Sequence, residues 1–100
     1  MYEKQIENGV GFLNKNVPNW LCSIDTSQLN MIDTKFCILG QSCNDYYEAT
    51  HKFNLSKEHE YNLGFNLPTT EDYNWKLDVE RYEQLTHEWK MKIYELRSKV

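Results

Sequence analysis

A chain of 100 residues is long enough to close one hydrophobic core and too short for two, so a single domain is expected. Its 40% hydrophobic content, with three Trp and seven Tyr, excludes a disordered tail. The net charge of -4, without three adjacent Lys or Arg anywhere, argues against direct nucleic-acid binding, which needs a basic stripe to displace counterions, and is too dilute for mimicry of duplex DNA.

No apolar run has the length of a signal-peptide core or a bilayer span, which predicts no membrane association and a cytoplasmic protein. The odd count of three cysteines, Cys22, Cys37 and Cys43, predicts free, buried and inert thiols rather than a disulfide framework.

In chain order, Tyr2, Ile6, Val10, Leu13 and Val17 recur at three- and four-residue spacing and predict a helix over about Tyr2 to Asn14. Gly9 and Gly11 weaken its propensity and suggest a close helix crossing. Pro18 stops that helix and opens a short turn with Trp20, Leu21 and Ile24 directed inward. The polar string from Asp25 to Asp33 predicts an ordered loop pinned by Leu29 and Met31.

Asp33 or Thr34 is then expected to cap a second helix reaching Phe53, because Phe36, Leu39, Cys43, Tyr46, Thr50 and Phe53 keep helical spacing. Asn54 followed by Leu55 reads as its left-handed C-cap. Ser56 caps a brief third helix, Lys57 to Leu63, that Gly64 and Phe65 terminate. Tyr73, Trp75, Leu77 and Val79 alternate with polar residues, which fits a short extended piece or the first turns of the last helix.

The last helix, about Val79 to Lys99, carries Tyr82, Leu85, Trp89, Ile93, Leu96 and Val100 as a heptad seam, with acids early and Lys90, Lys92, Arg97 and Lys99 late. His87, Met91 and Tyr94 form a second stripe on roughly the opposite side, since a two-residue step turns an α-helix by about 200°. The expected architecture is therefore mainly α, a bundle of about four helices with a long C-terminal helix.

The candidate chemistry is sparse. Cys22, Cys37, Cys43, His51, His59 and His87 lack the paired two-to-four-residue spacing of structural zinc ligands, so no metal or other cofactor is expected. Cys43 and His51, even on one helix, would lie about 12 Å apart, too far for proton transfer, and Glu58, Glu60, Glu71 and Asp72 read as solvated or capping acids. No enzyme is expected. Tyr46, Tyr47, His51 and Lys52 fit either a nucleotide-binding cluster or a solvated helix flank.

Val17-Pro18-Asn19-Trp20, Ile24-Asp25, Leu29, Met31, Cys37-Ile38-Leu39-Gly40-Gln41 and Asp45-Tyr46 resemble a family of small uncharacterised phage and prophage proteins. The likeness extends more weakly through Leu63-Gly64-Phe65 to Tyr82, Leu85, Thr86 and Trp89. It is a pattern of packing residues and turns and transfers no catalytic residue. What it implies is a setting in the host-cell cytoplasm, where small acidic phage proteins often bind and block a host or defence protein, anti-CRISPR inhibitors among them. His87, Met91 and Tyr94, with the Tyr46 and Tyr47 flank, are then the expected contact residues. A sponge for a nucleotide second messenger and a structural or regulatory phage protein acting as a homodimer are the alternatives.

Overall fold

A computed structural model of the chain describes residues 1–68 and 75–99. It is mainly helical, with α1 at Glu3–Asn16, α2 at Trp20–Ser23, α3 at Ile38–Cys43, α4 at Tyr46–Lys52, α5 at Lys57–Asn62 and α6 at Trp75–Ser98. At about 1.5 Å per residue, the 24 residues of α6 run most of the molecule's 42 Å long axis. Helix α1 packs on both α6 and α5, and α3 packs on α2 and α4.

The α1 stripe buries Ile6, Gly9, Val10 and Leu13, as its spacing predicts. Gly9 is the point of closest approach: a Cβ there would fall inside van der Waals contact of the Leu63 carbonyl and 3.0 Å from the Trp89 ring. Gly11, two residues on, faces open space. Only the first glycine serves a crossing.

Past Pro18, Asn19 takes a left-handed φ of 68° and turns the chain into α2, where Trp20 is buried and its indole N–H donates to Asn14 Oδ1 at 2.8 Å. Leu29 and Met31 are buried, pinning the following loop as expected. Side chains elsewhere answer its backbone polar groups, which no regular structure satisfies. Gln41 Oε1 accepts from Asp25 N at 2.6 Å, and Gln41 Nε2 donates to the carbonyls of Asp25 and Phe36. Met31 N donates to Thr86 Oγ1 on α6, and Arg97 donates to the carbonyls of Leu21 and Ile24.

The expected single helix to Phe53 is two helices. Asp33 Oδ1 accepts from Lys35 N and Phe36 N, which holds that stretch in turns, and Cys37 caps α3 by accepting from Gly40 N. Phe36, expected inward, is exposed. The break falls at Asn44, with a φ of 79°, after which Asp45 Oδ2 accepts from Tyr47 N and Glu48 N and starts α4. A strong N-cap beside a residue tolerant of positive φ overrides continuous apolar spacing.

The next two punctuation marks sit where the sequence places them. Asn54 has a φ of 53°, and Leu55 N donates back to Thr50 O across the end of α4. Ser56 accepts from His59 N as the cap of α5. Gly64, at φ 73°, closes α5 with Gly64 N donating to Tyr61 O and Phe65 N to Glu60 O, the reciprocal pattern of a left-handed helix end.

Residues 75–79 belong to α6, which settles the ambiguous segment as helix there; Tyr73 and Asn74 lie outside the described residues. The seam works as predicted, with Leu85, Trp89 and Ile93 wholly buried and Tyr82 and Leu96 packed at its edges; Val100 lies outside the described residues. Trp89 is the centre of the core. It stacks on Phe65 at 6.1 Å and 11°, meets Trp20 edge-on at 6.2 Å, and donates from Nε1 to Gly64 O at 2.7 Å.

The cysteines only partly meet expectation. All three are free, but Cys22 is exposed on α2 and Cys43 half-buried, because neither falls on the inward side of its short helix. Cys37 alone is buried, and its desolvation pushes the thiol up to about 11, so it stays protonated and unreactive.

Candidate functional site

Two regions of the surface combine concavity with exposed or unusual side chains. The first lies along α6. Its inner face is consumed by Leu85, Trp89 and Ile93, while His87, Met91 and Tyr94 stand outward, Met91 being 54% and Tyr94 50% exposed. A groove of about 460 Å³ runs between this helix and α1. Ile6 and Met91 supply its apolar surface, and Glu3, Glu7, Glu88 and Glu95 stand around it with Lys92 and His87. The α1 side of this groove was not foreseen from the sequence, although Glu3 and Glu7 sit one turn apart on the same face. Tyr94 lies outside the groove lining.

The groove is held rigidly at one end. Glu88 Oε1 accepts from Tyr2 N at 2.7 Å and from the Met1 amino group at 3.2 Å, and Oε2 accepts from Gln84. Desolvation pushes the Glu88 carboxyl up, yet these hydrogen bonds outweigh it and hold the group below its ordinary value of 4.5. A lowered native value means that Glu88 stabilises the fold above the ordinary carboxylate range. That contribution is lost as pH falls through the native value. Glu88→Gln is therefore expected to lower the melting temperature at neutral pH and to flatten its decline below pH about 4.5. A thermal-denaturation series across acid pH checks both effects. On the other side, Lys92 pairs with Glu7 and, at 3.4 Å, with Glu95.

The second region is a cleft, also about 460 Å³, bounded by α4, α5, the 31–37 loop and α6. Tyr46, Tyr47, Glu60, Phe65, Asn66 and Tyr82 are among its walls. Tyr46 and Tyr47 meet edge to face at 5.6 Å, but they do different things. Tyr47 is 67% exposed, whereas Tyr46 turns inward and donates its hydroxyl to Glu60 Oε1. Burial, and then the Glu60 carboxylate, raise the Tyr46 phenol far above its ordinary range, so it stays a neutral donor.

Glu60, expected to be a solvated or capping acid, is only 7% exposed. It lies on the face of α5 that Phe65 and α4 cover, and Asn66 Nδ2 also donates to its Oε1, at 3.4 Å. Tyr82 completes the wall, its hydroxyl accepting from Leu67 N at 3.0 Å and its phenol raised by desolvation.

Of the residues singled out from the sequence, the structure brings His87 and Met91 into one groove and Tyr46 and Tyr47 into a separate cleft. His51 and Lys52 are exposed and line neither; the Lys52 ammonium instead lies 5.4 Å above the Phe53 ring. Among the described residues no group of three or more Cys, His, Asp or Glu is placed to hold a metal ion, and no helix is long and apolar enough to cross a membrane. Comparison with known proteins yields no match to a family model, a curated protein or a solved structure.

Proposed function

We propose that the protein is a non-catalytic binding protein of phage type that inhibits a host or defence protein, docking through the outer face of α6 and its groove against α1. The observation that carries this reading is the division of labour on α6. The seam of Leu85, Trp89 and Ile93 already satisfies the core, so half-exposed Met91 and Tyr94 add nothing to it. Exposed Met and Tyr of this kind are enriched at interfaces. Around the Met91 end of the stripe stand four carboxylates, Glu3, Glu7, Glu88 and Glu95, against two cations, Lys92 and the Met1 amino group. The complementary partner surface is an apolar anchor flanked by basic side chains, which the acidic rim would steer into register.

The test is Met91→Ala combined with Tyr94→Ala. Both side chains are exposed, so the melting temperature should hold while affinity for the captured host protein falls by about tenfold or more, the effect of removing two central anchors. Unchanged capture by the double variant contradicts the assignment of this face.

A further inference from the structure

Buried carboxylates in folded proteins are ordinarily paired with a cation, because hydrogen bonds from neutral groups offset only part of the cost of removing the charge from water. Glu60 departs from that rule. It is more than nine-tenths buried, and among the described residues its side chain accepts from two neutral donors, Tyr46 and Asn66, both on Oε1. Among the described residues no Lys, Arg or His forms an ion pair with it, and none donates a hydrogen bond to Oε2. Every buried polar side-chain atom among the described residues has a partner, so Oε2 faces the cleft rather than the packed interior.

The surroundings define what would complete the pair. Asp33, Lys57 and Glu60 line the cleft, two carboxylates against one ammonium, and among the described residues Lys57 forms an ion pair with neither. Among the remaining walls the Tyr47 ring stands exposed, and an accessible aromatic face attracts organic cations. A hard metal ion would instead demand several oxygen ligands converging on one point, which a single free carboxylate oxygen does not supply. We propose that this cleft binds a guanidinium or ammonium group, carried either by a free organic amine or by a basic side chain of a partner, with Glu60 as its counter-ion and Tyr47 at its mouth. This site is distinct from the α6 groove and does not depend on the docking function assigned there.

The experiment is an amide NMR titration of the full chain at constant ionic strength with four probes. These are agmatine, a blocked Gly-Arg-Gly peptide, its citrulline counterpart and magnesium chloride. Saturable shifts at Tyr46, Tyr47, Glu60 and Asn66 with a guanidinium probe, and none with citrulline or magnesium, support the proposal. Saturation by agmatine identifies a free amine as sufficient, and saturation by the arginine peptide alone identifies a partner's side chain as the source.

Glu60→Gln should abolish saturation. Tyr47→Ala, at an exposed position that leaves the fold intact, should weaken it by about two- to five-fold, the size of a partly exposed cation–π contact. Should Glu60→Gln lose its dispersed spectrum, the Tyr47→Ala comparison decides. Equal shifts with citrulline, saturation by magnesium, silence from both guanidinium probes, or undiminished binding by Tyr47→Ala would each overturn the proposal.

Discussion

Replacing Trp89 by alanine is expected to destabilise the protein by about 3–5 kcal/mol, a large share of the roughly 5–15 kcal/mol that holds a small domain folded. The size follows from how many elements converge on one side chain. Trp89 is wholly buried, stacks on Phe65 behind the α5 turn, meets Trp20 of α2 edge-on, and underlies Gly9 of α1. Its removal leaves a cavity bordered by those three other parts of the chain, and closing it would disturb their remaining contacts. Trp89→Phe separates the two contributions: it retains a ring against Phe65 but deletes the donor to the Gly64 carbonyl, a loss of about 1–3 kcal/mol. Urea denaturation of the two variants should reproduce that order.

The second large effect is expected at Gly9, with Gly11 as its internal control. A methyl group at Gly9 meets the Leu63 carbonyl and the Trp89 ring, so α1 must move away from both α5 and α6. Overpacking of this kind costs about 1–3 kcal/mol, and here the obstructing atom is backbone, which cannot step aside. Gly11 sits in the same helix with nothing within 4 Å of the added atom. Gly11→Ala should therefore stabilise by about 0.5–1 kcal/mol, through helix propensity and a less flexible unfolded chain. Opposite shifts in melting temperature for two substitutions two residues apart would confirm that the crossing at Gly9 is the one that matters.

Local signals in the sequence carried much of this architecture. The α1 stripe, the left-handed ends at Asn54 and Gly64, the Ser56 cap and the Leu85, Trp89 and Ile93 seam each depend on residues within a turn or two of one another. What failed did so for stated physical reasons. The spacing of Leu39, Cys43, Tyr46, Thr50 and Phe53 runs on through Asn44-Asp45, and the periodicity concealed a break that the capping chemistry of those two residues enforces.

The burial of Glu60 was illegible because its partners arrive from elsewhere: Tyr46 lies 14 residues earlier, on another helix, and Asn66 six residues later, beyond a reversal of the chain. Cys22 shows the converse, a residue type that is usually buried but stands exposed on a four-residue helix whose inward position is taken by Trp20. Gln41, in the Cys37-Ile38-Leu39-Gly40-Gln41 string, stitches the 25–36 loop, while Asp45 caps α4. Those residues have structural work to do, which is why their pattern speaks to packing rather than chemistry.

The docking assignment on α6 is tested most directly by placing a photo-crosslinking amino acid at position 91 and, in a second protein, at exposed Lys15 on α1, outside the groove lining. Each is irradiated in host-cell extract. The account predicts one discrete adduct with a host protein from position 91, diminished by Tyr94→Ala and by raised salt, and no such adduct from position 15. Adducts of equal yield from both positions, an adduct only with a second copy of the chain, or none from position 91 would contradict it.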